Sequence, residues 1–410
     1  MTFADAVSLG PGVVVLADVE LDGGGRERYA VPLIAGGGID DALGDVEFCR
    51  ALLDLLARAG TAAGDRGEIR GVPAAGLAER WPSGPPAEVT ARRIGGEQSN
   101  TSVVLGDAFV LKQFRRLSEG INPEAEITRF LTERTAFRNT PRLAGHLEYR
   151  DARGGTTTLA VVQALVPDSV DGWQWVLARL REPDGAGATV RALGRLGERT
   201  GELHQALASD TTDPAFAPEP ITKGDVAAWT DAVAAQLAAA RAAVPGEGVA
   251  VDLDALRAGL APLIGREKIR HHGDFHLGQT LYRPADGDWT IIDFEGEPVR
   301  PLDERRRKHV ALRDVAGMLR SIDYAAASGP APAAAWPADA TRAFLEGYRA
   351  AVAAAPFVPS SDEAFRDVVA AFELEKAAYE IVYEANNRPD WIEIPRRGLL
   401  TAAARLAGRR

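Results

Sequence analysis

The segment Arg270–Glu297 constrains this chain more than any other, because it fixes three oxygen-bearing side chains around two short strands. His271-His272-Gly273-Asp274 reads as a tight loop, and Gln279 follows five residues after Asp274. Thr280–Tyr282 reads as a first strand. A turn leads to a second strand, Thr290–Ile292, which delivers Asp293 at its end, nineteen residues beyond Asp274. Glu295 follows directly in Asp293-Phe294-Glu295-Gly296-Glu297.

Phosphoryl transfer uses such a trio. One carboxylate accepts the proton of an acceptor hydroxyl, while an amide oxygen and a second carboxylate hold Mg²⁺ against nucleotide phosphates. Each residue alone says little: His271 and His272 suit a loop or a core, and an Asp at a strand end often caps a turn. A metal-hydrolase reading of His271, His272, Asp274, His276 and Asp293 uses the same atoms. The features upstream favour a nucleotide instead.

With 410 residues the chain is long enough for two or three subdomains. Its net charge of −11 argues against nucleic acid and anionic membranes as partners. No stretch approaches membrane-spanning length, and no basic start precedes an apolar run. The one cysteine, Cys49, lies in an apolar helical setting and cannot form an internal disulfide. A reducing cytoplasm is therefore the expected location.

Residues 1–88 read as a separate cap: strand-like runs Val13–Val19 and Arg28–Ile34 around a glycine-rich turn, then an amphipathic helix over Val46–Ala59. Trp81–Pro86 punctuates the chain, and residues 89–166 become β-rich. There the small polar loop Gly95–Ser102, including Gln98, Ser99, Asn100, Thr101 and Ser102, precedes a hairpin and suits a cover over phosphates. In the following strand Lys112 alternates inward, and a buried lysine needs an anion. Glu126, on the helix opened by Asn122 and Pro123, is the chosen partner; Glu124 is read as complementing the helix dipole. The strand Leu159–Val166 ends at Pro167, and the backbone around Gln163 to Leu165 is the expected adenine contact. Residues 167–410 read as mainly helical, with His204 as a structural histidine. Asp314 and Arg313 are placed behind the loop as supports.

His272-Gly273-Asp274 with Gln279 and Asp293-Phe294-Glu295 resembles the core of aminoglycoside-phosphotransferase-like kinases, with Gln279 in place of the usual Asn. Longer stretches are similar to the maltokinase-like branch: Gly95–Val104, Val110–Leu117, Asn122–Leu131, His271–Leu281, Ile291–Arg306, Leu312–Ala326 and Tyr379–Pro395. The resemblance implies an α+β, bilobal, protein-kinase-like fold with a β-rich N-lobe, an N-terminal cap and a mostly helical C-lobe. It implies ATP and Mg²⁺ as cofactors, Asp274 as base, Gln279 and Asp293 on the metal, and Lys112 on the phosphates.

The C-terminal helix Phe365–Asn387 presents Glu380, Tyr383, Glu384 and Asn387 on one face. It is followed by Asp390, Trp391 and Glu393. Trp391 is a platform for a sugar ring, and two carboxylates beside it suit a cationic acceptor. An ammonium–carboxylate bond contributes roughly 1.5–3 kcal/mol, about ten- to a hundredfold in preference over a neutral sugar. With His276, Tyr383, Glu384 and Asn387, these residues form the expected acceptor site. The branch that fits is the related glucosamine kinases, with glucosamine 6-phosphate as product. Maltose as acceptor is the alternative, and a nucleotide-binding pseudokinase regulator is the alternative from another class. Monomer and homodimer both remain open.

Overall fold

A computed structural model of the chain describes residues 2–35, 38–86, 88–95, 100–244, 251–329 and 335–408. By its internal contacts the chain forms two units, Met1–Pro167 with Pro298–Arg305, and Asp168–Glu297 with Arg306–Arg410.

The first unit is built on two antiparallel sheets. One carries Thr2–Leu9, Gly12–Glu20, Arg26–Ala35 and the short strand Arg116–Leu117 in that order, with Ile39–Asp41 against Arg26–Ala35. The other has seven strands, in the order Thr61–Ala63, Gly67–Pro73, Leu143–Asp151, Thr156–Ala164, Phe109–Gln113, Thr101–Leu105, Ala91–Arg93. The apolar face of the helix Val46–Ala57 supplies Phe48, Leu52, Leu53 and Leu56 to one core with Leu16, Ile69, Leu111 and Val161. Sheet membership therefore crosses the division expected at residue 88. Gly67–Pro73 belongs to the same sheet as Phe109–Gln113, and Tyr149 reaches back to Asp5 with its hydroxyl at 2.7 Å. The segment Pro298–Arg305 also joins this unit, with Arg116 donating to the Pro298 carbonyl at 2.9 Å. Cys49 is buried, and burial pushes its thiol up to about 12, so it packs as a small apolar group.

Helices dominate the second unit: Gly172–Arg179, Gly185–Leu207, Lys223–Ala243, Leu253–Leu260, Leu312–Ser328, Trp336–Ala351, Asp362–Asn387 and Glu393–Ala407. Thr280–Arg283 pairs with Asp288–Ile291 and with Val170–Asp171 in a small sheet. That hairpin is fixed to the helices by Trp289, fully buried, whose indole donates to the Ala192 carbonyl at 2.7 Å. Asp288 is gripped by the Arg199 guanidinium at 2.7 Å. No described helix is long and apolar enough to cross a membrane.

Helices Gly185–Leu207 and Trp336–Ala351 approach closely because glycines line the contact. A Cβ on Gly197 would lie 2.0 Å from the Phe344 carbonyl oxygen. Alanine would gain about 1 kcal/mol of helix propensity there. Overlap with backbone cannot be relieved by a rotamer change, and overpacking typically destabilises by about 1–3 kcal/mol. Gly197→Ala is therefore expected to lower the urea midpoint, and an unchanged or raised midpoint would contradict the packing described.

Candidate active site

In the first unit the strand Phe109–Gln113 buries Phe109, Leu111 and Gln113 on one face and turns Val110 and Lys112 to the other. Lys112 lies opposite Ser102 on one side and Val161 on the other. Its ammonium meets Glu124 at 2.8 Å, and the Gln163 amide donates to the other Glu124 oxygen at 3.1 Å. The expected partner, Glu126, is replaced by Glu124 for a reason of helical register. Glu124 shares the buried face of Pro123–Arg134 with Ile127, Thr128 and Leu131, whereas Glu126 is half-buried on another face. Asn122 caps this helix by accepting from the Glu124 N–H at 2.8 Å.

One other expectation in this unit changes, and another narrows. The Thr101 hydroxyl is buried and accepts from Arg115 at 2.8 Å, and Arg115 also pairs with Asp41, so Thr101 holds the sheet together. The Leu165 N–H donates to the Ala108 carbonyl at 2.8 Å, which leaves the carbonyls of this stretch for the expected base contact, and Gln163 turns its side chain to Glu124. Asn100 and Ser102 are half-buried at the start of the strand; Gln98 and Ser99 lie outside the described residues.

In the second unit the loop ahead of Thr280–Arg283 is held from behind by Asp314 on the helix Leu312–Ser328. One Asp314 oxygen accepts from the His272 N–H at 2.7 Å and from His204 Nε2 at 3.0 Å. The other accepts from the Gly273 N–H at 2.9 Å. His204 Nδ1 in turn takes the Tyr348 hydroxyl at 3.0 Å, which assigns its proton to Nε2. His272 ties the loop to the second strand by donating to the Ile292 carbonyl at 2.9 Å, and its ring packs on Phe294.

This scaffold sets Gln279 and Asp293 at one end of the hairpin. Thr280 pairs with Ile291, and the Ile292 N–H donates to the Gln279 carbonyl at 3.0 Å, so Gln279 lies opposite Ile292 and Asp293 follows directly at the ladder's end. Asp293 sits in the left-handed region at φ 66°, which an aspartate tolerates better than most side chains and which ends the strand. Gly273 at φ 87° passes 3.3 Å, measured from an added Cβ, from the Gly296 backbone, so a side chain there would crowd the two segments. Asp274 is half-buried between His272 and Phe275 in sequence, and Glu295 is half-buried two residues past Asp293.

The histidines serve the loop's shape. His276 caps the turn Leu277–Gln279 by accepting from the Gly278 N–H at 3.1 Å with Nδ1, so one ring nitrogen serves the turn. Burial pushes its imidazole down, with the Asp274 charge opposing. His271 is buried beside His309, and burial pushes it down to about 4, so it is neutral at physiological pH.

A residue that the sequence reading passed over completes the site. Lys376, on the helix Asp362–Asn387, places its ammonium 3.2 Å from Asp274 Oδ1 and 2.8 Å from Glu297. Glu297 is buried, and Arg313 stands 3.9 Å from it and 3.1 Å from Glu375. The signal was available: Lys376 lies four and eight residues before Glu380 and Glu384, on the same helix face.

Farther along that face the expected acceptor residues are mostly occupied. Glu384 is buried, accepting from the Tyr324 hydroxyl at 2.9 Å and from Arg388 at 2.7 Å, so it anchors the helix end and is not open to a ligand. Asn387 bonds the Tyr383 carbonyl of its own helix at 2.8 Å. Tyr383 is exposed beneath the Arg388 guanidinium, and Glu380 holds the buried Arg320 at 2.9 Å. Trp391 stacks on Tyr324 at 6.1 Å and lies 4.6 Å from the Arg388 guanidinium. Asp390 is exposed, and Glu393 shares its charge with Arg396 at 3.1 Å.

Residues 90–355 match the Phosphotransferase enzyme family. A glucosamine kinase from Streptacidiphilus jiangxiensis is 34% identical over 332 residues, covering 75% of this chain and 73% of its own. A second, from Mycolicibacterium smegmatis, is 32% identical over 318 residues, 74% of this chain and 77% of its own. Among solved structures, a glucosamine kinase in complex with glucosamine, ADP and inorganic phosphate superposes with a TM-score of 0.70 at 28% identity, over 97% of this chain and 93% of that one. The β-sheet N-terminal part and the helical C-terminal part are those of a kinase-like fold, and the chain belongs to the Phosphotransferase enzyme family.

Proposed function

We propose that this protein transfers the γ-phosphoryl group of ATP to glucosamine, giving glucosamine 6-phosphate. The observation that carries the choice of sugar is the match of three-quarters of the chain, above 30% identity, to two glucosamine kinases. The choice of chemistry is supported by an aspartate whose Oδ1 is held by Lys376 and whose Oδ2 has no partner among the described residues.

In this reading Asp274 orients the acceptor hydroxyl and takes its proton, and Lys112, set by Glu124, meets the phosphates. The amide oxygen of Gln279 and the carboxylate of Asp293, with Glu295 close in sequence, are hard oxygen donors of the kind Mg²⁺ takes when phosphates supply its remaining ligands. When bound, the ion neutralises charge on the phosphates. Trp391 offers a platform for the sugar, and Asp390, exposed, is the remaining carboxylate for its ammonium.

The test is an acceptor comparison with ATP and Mg²⁺, following ADP release and identifying the product by phosphorus NMR. Glucosamine is expected to give a kcat/KM at least about tenfold above maltose, the difference one ammonium–carboxylate contact supplies. Equal or better turnover of maltose ends this choice of sugar. Mg²⁺-dependent ATP binding with no phosphorylated product from any acceptor would favour the pseudokinase reading.

A further inference from the structure

We propose that Lys376 is the positioning residue for Asp274: it pins one carboxylate oxygen so that the other is left for the acceptor hydroxyl. This inference rests on the reading of Asp274 as the base.

An aspartate carboxyl turns about a broad, roughly two-fold torsion, so an unrestrained Asp274 would spread its oxygens over many directions. The single polar contact on its side chain, among the described residues, is the Lys376 ammonium at 3.2 Å from Oδ1. That ammonium comes from a residue 102 positions away, on the helix Asp362–Asn387. A lysine is a flexible stem and cannot position anything unless it is fixed in turn. Glu297 does this at 2.8 Å, and the Tyr379 ring lies 5.1 Å beneath the charge.

The three groups also balance one another electrically. Without Lys376, Asp274 and the buried Glu297 would be two carboxylates facing one gap. Burial works against the ammonium's charge, but Asp274 and Glu297 outweigh it and hold its pKa well above the ordinary lysine range. It therefore stays charged through the working pH range. When Asp274 takes the acceptor proton and becomes neutral, Lys376 still has Glu297, so no buried charge is stranded.

The experiment compares wild type, Lys376→Met, Lys376→Arg, the double variant Lys376→Met/Glu297→Gln, and Lys376→Met in an Asp274→Asn background. Each is assayed with ATP, Mg²⁺ and glucosamine. Lys376→Met is expected to lower kcat by about a hundredfold, the effect of a misplaced reacting group, with KM for ATP changed less than about threefold. Lys376→Arg should recover about tenfold of that loss. The double variant removes both charges, so it should melt near wild type yet remain slow. In the Asp274→Asn background the lysine change should alter kcat by less than about threefold, because the two residues act as one unit.

Recovery of kcat in the double variant to within about threefold of wild type would overturn the inference, since Lys376 would then serve only to neutralise Glu297. Full additivity with Asp274→Asn would overturn it as well. A wild-type protein inert towards glucosamine sinks the kinase reading and this one together, whereas wild-type turnover that Lys376→Met leaves intact sinks this one alone.

Discussion

Asp274→Asn is expected to bind ATP as the wild type does and to turn over glucosamine at least about a hundredfold more slowly, the contribution of a positioned general base. The substitution keeps size and polarity but removes the oxygen that can accept a proton. It leaves the fold alone, because Asp274 supports no buried structure besides its contact to Lys376, and Lys376 keeps Glu297 at 2.8 Å. Calorimetric titration with an ATP analogue, melting temperature and steady-state kcat separate these effects. A kcat within about tenfold of wild type, with binding intact, would remove Asp274 from the role of base.

Much of this site was legible in the sequence because its parts are local. The loop, the hairpin and the aspartate at its end lie within twenty-eight residues, Arg270 to Glu297, and the pairing of Thr280 with Ile291 that puts Asp293 just past the ladder is one of near neighbours in the chain. The hairpin Gly12–Glu20 with Arg26–Ala35 was equally visible, since its turn and alternation are adjacent in the chain. What escaped was set by partners distant in sequence. Gly67–Pro73 has two glycines and a proline, a poor strand by composition. It is a strand because it pairs along its whole length with Leu143–Asp151, and Gly71 is needed there because an added Cβ would lie 2.3 Å from the Leu55 carbonyl oxygen of the helix Val46–Ala57. That pairing also dissolves the expected cap boundary.

The acidic residues show the same division. Glu124, not Glu126, shares the helical register of the buried Ile127, Thr128 and Leu131 and so turns inward to Lys112. Glu384 looked like a ligand because it shares a face with Glu380, and only the folded chain reveals Tyr324 and Arg388 closing over it. Lys376 was passed over because a single lysine in an apolar helix ordinarily snorkels to water. Its two carboxylate partners come from segments 102 and 79 residues away.

Asp314→Asn is expected to be the most damaging single change away from the reacting groups, through the shape of the loop. Asp314 is 2% exposed and accepts three hydrogen bonds: from the His272 N–H, the Gly273 N–H and His204 Nε2. All three donors need an oxygen, and an asparagine can offer one oxygen only; its NH₂ must face at least one of them. Breaking such a buried, charge-assisted network typically destabilises by about 3–5 kcal/mol. The loop then loses the restraint that fixes the backbone just before Asp274, so kcat should fall about a hundredfold even in the molecules that remain folded. The pH dependence supplies an independent check. Burial opposes ionisation of Asp314, yet the His271 and His204 imidazoles outweigh it and hold the carboxyl well below the ordinary value of 3.8. A depressed carboxyl contributes its stability above the unfolded value and loses it as pH falls through the folded one. The gap in urea stability between wild type and Asp314→Asn should therefore be full at pH 7 and shrink only below about pH 4. A gap that is absent at pH 7, or one that widens on acidification, would mean that Asp314 does not carry the loop as an ionised acceptor.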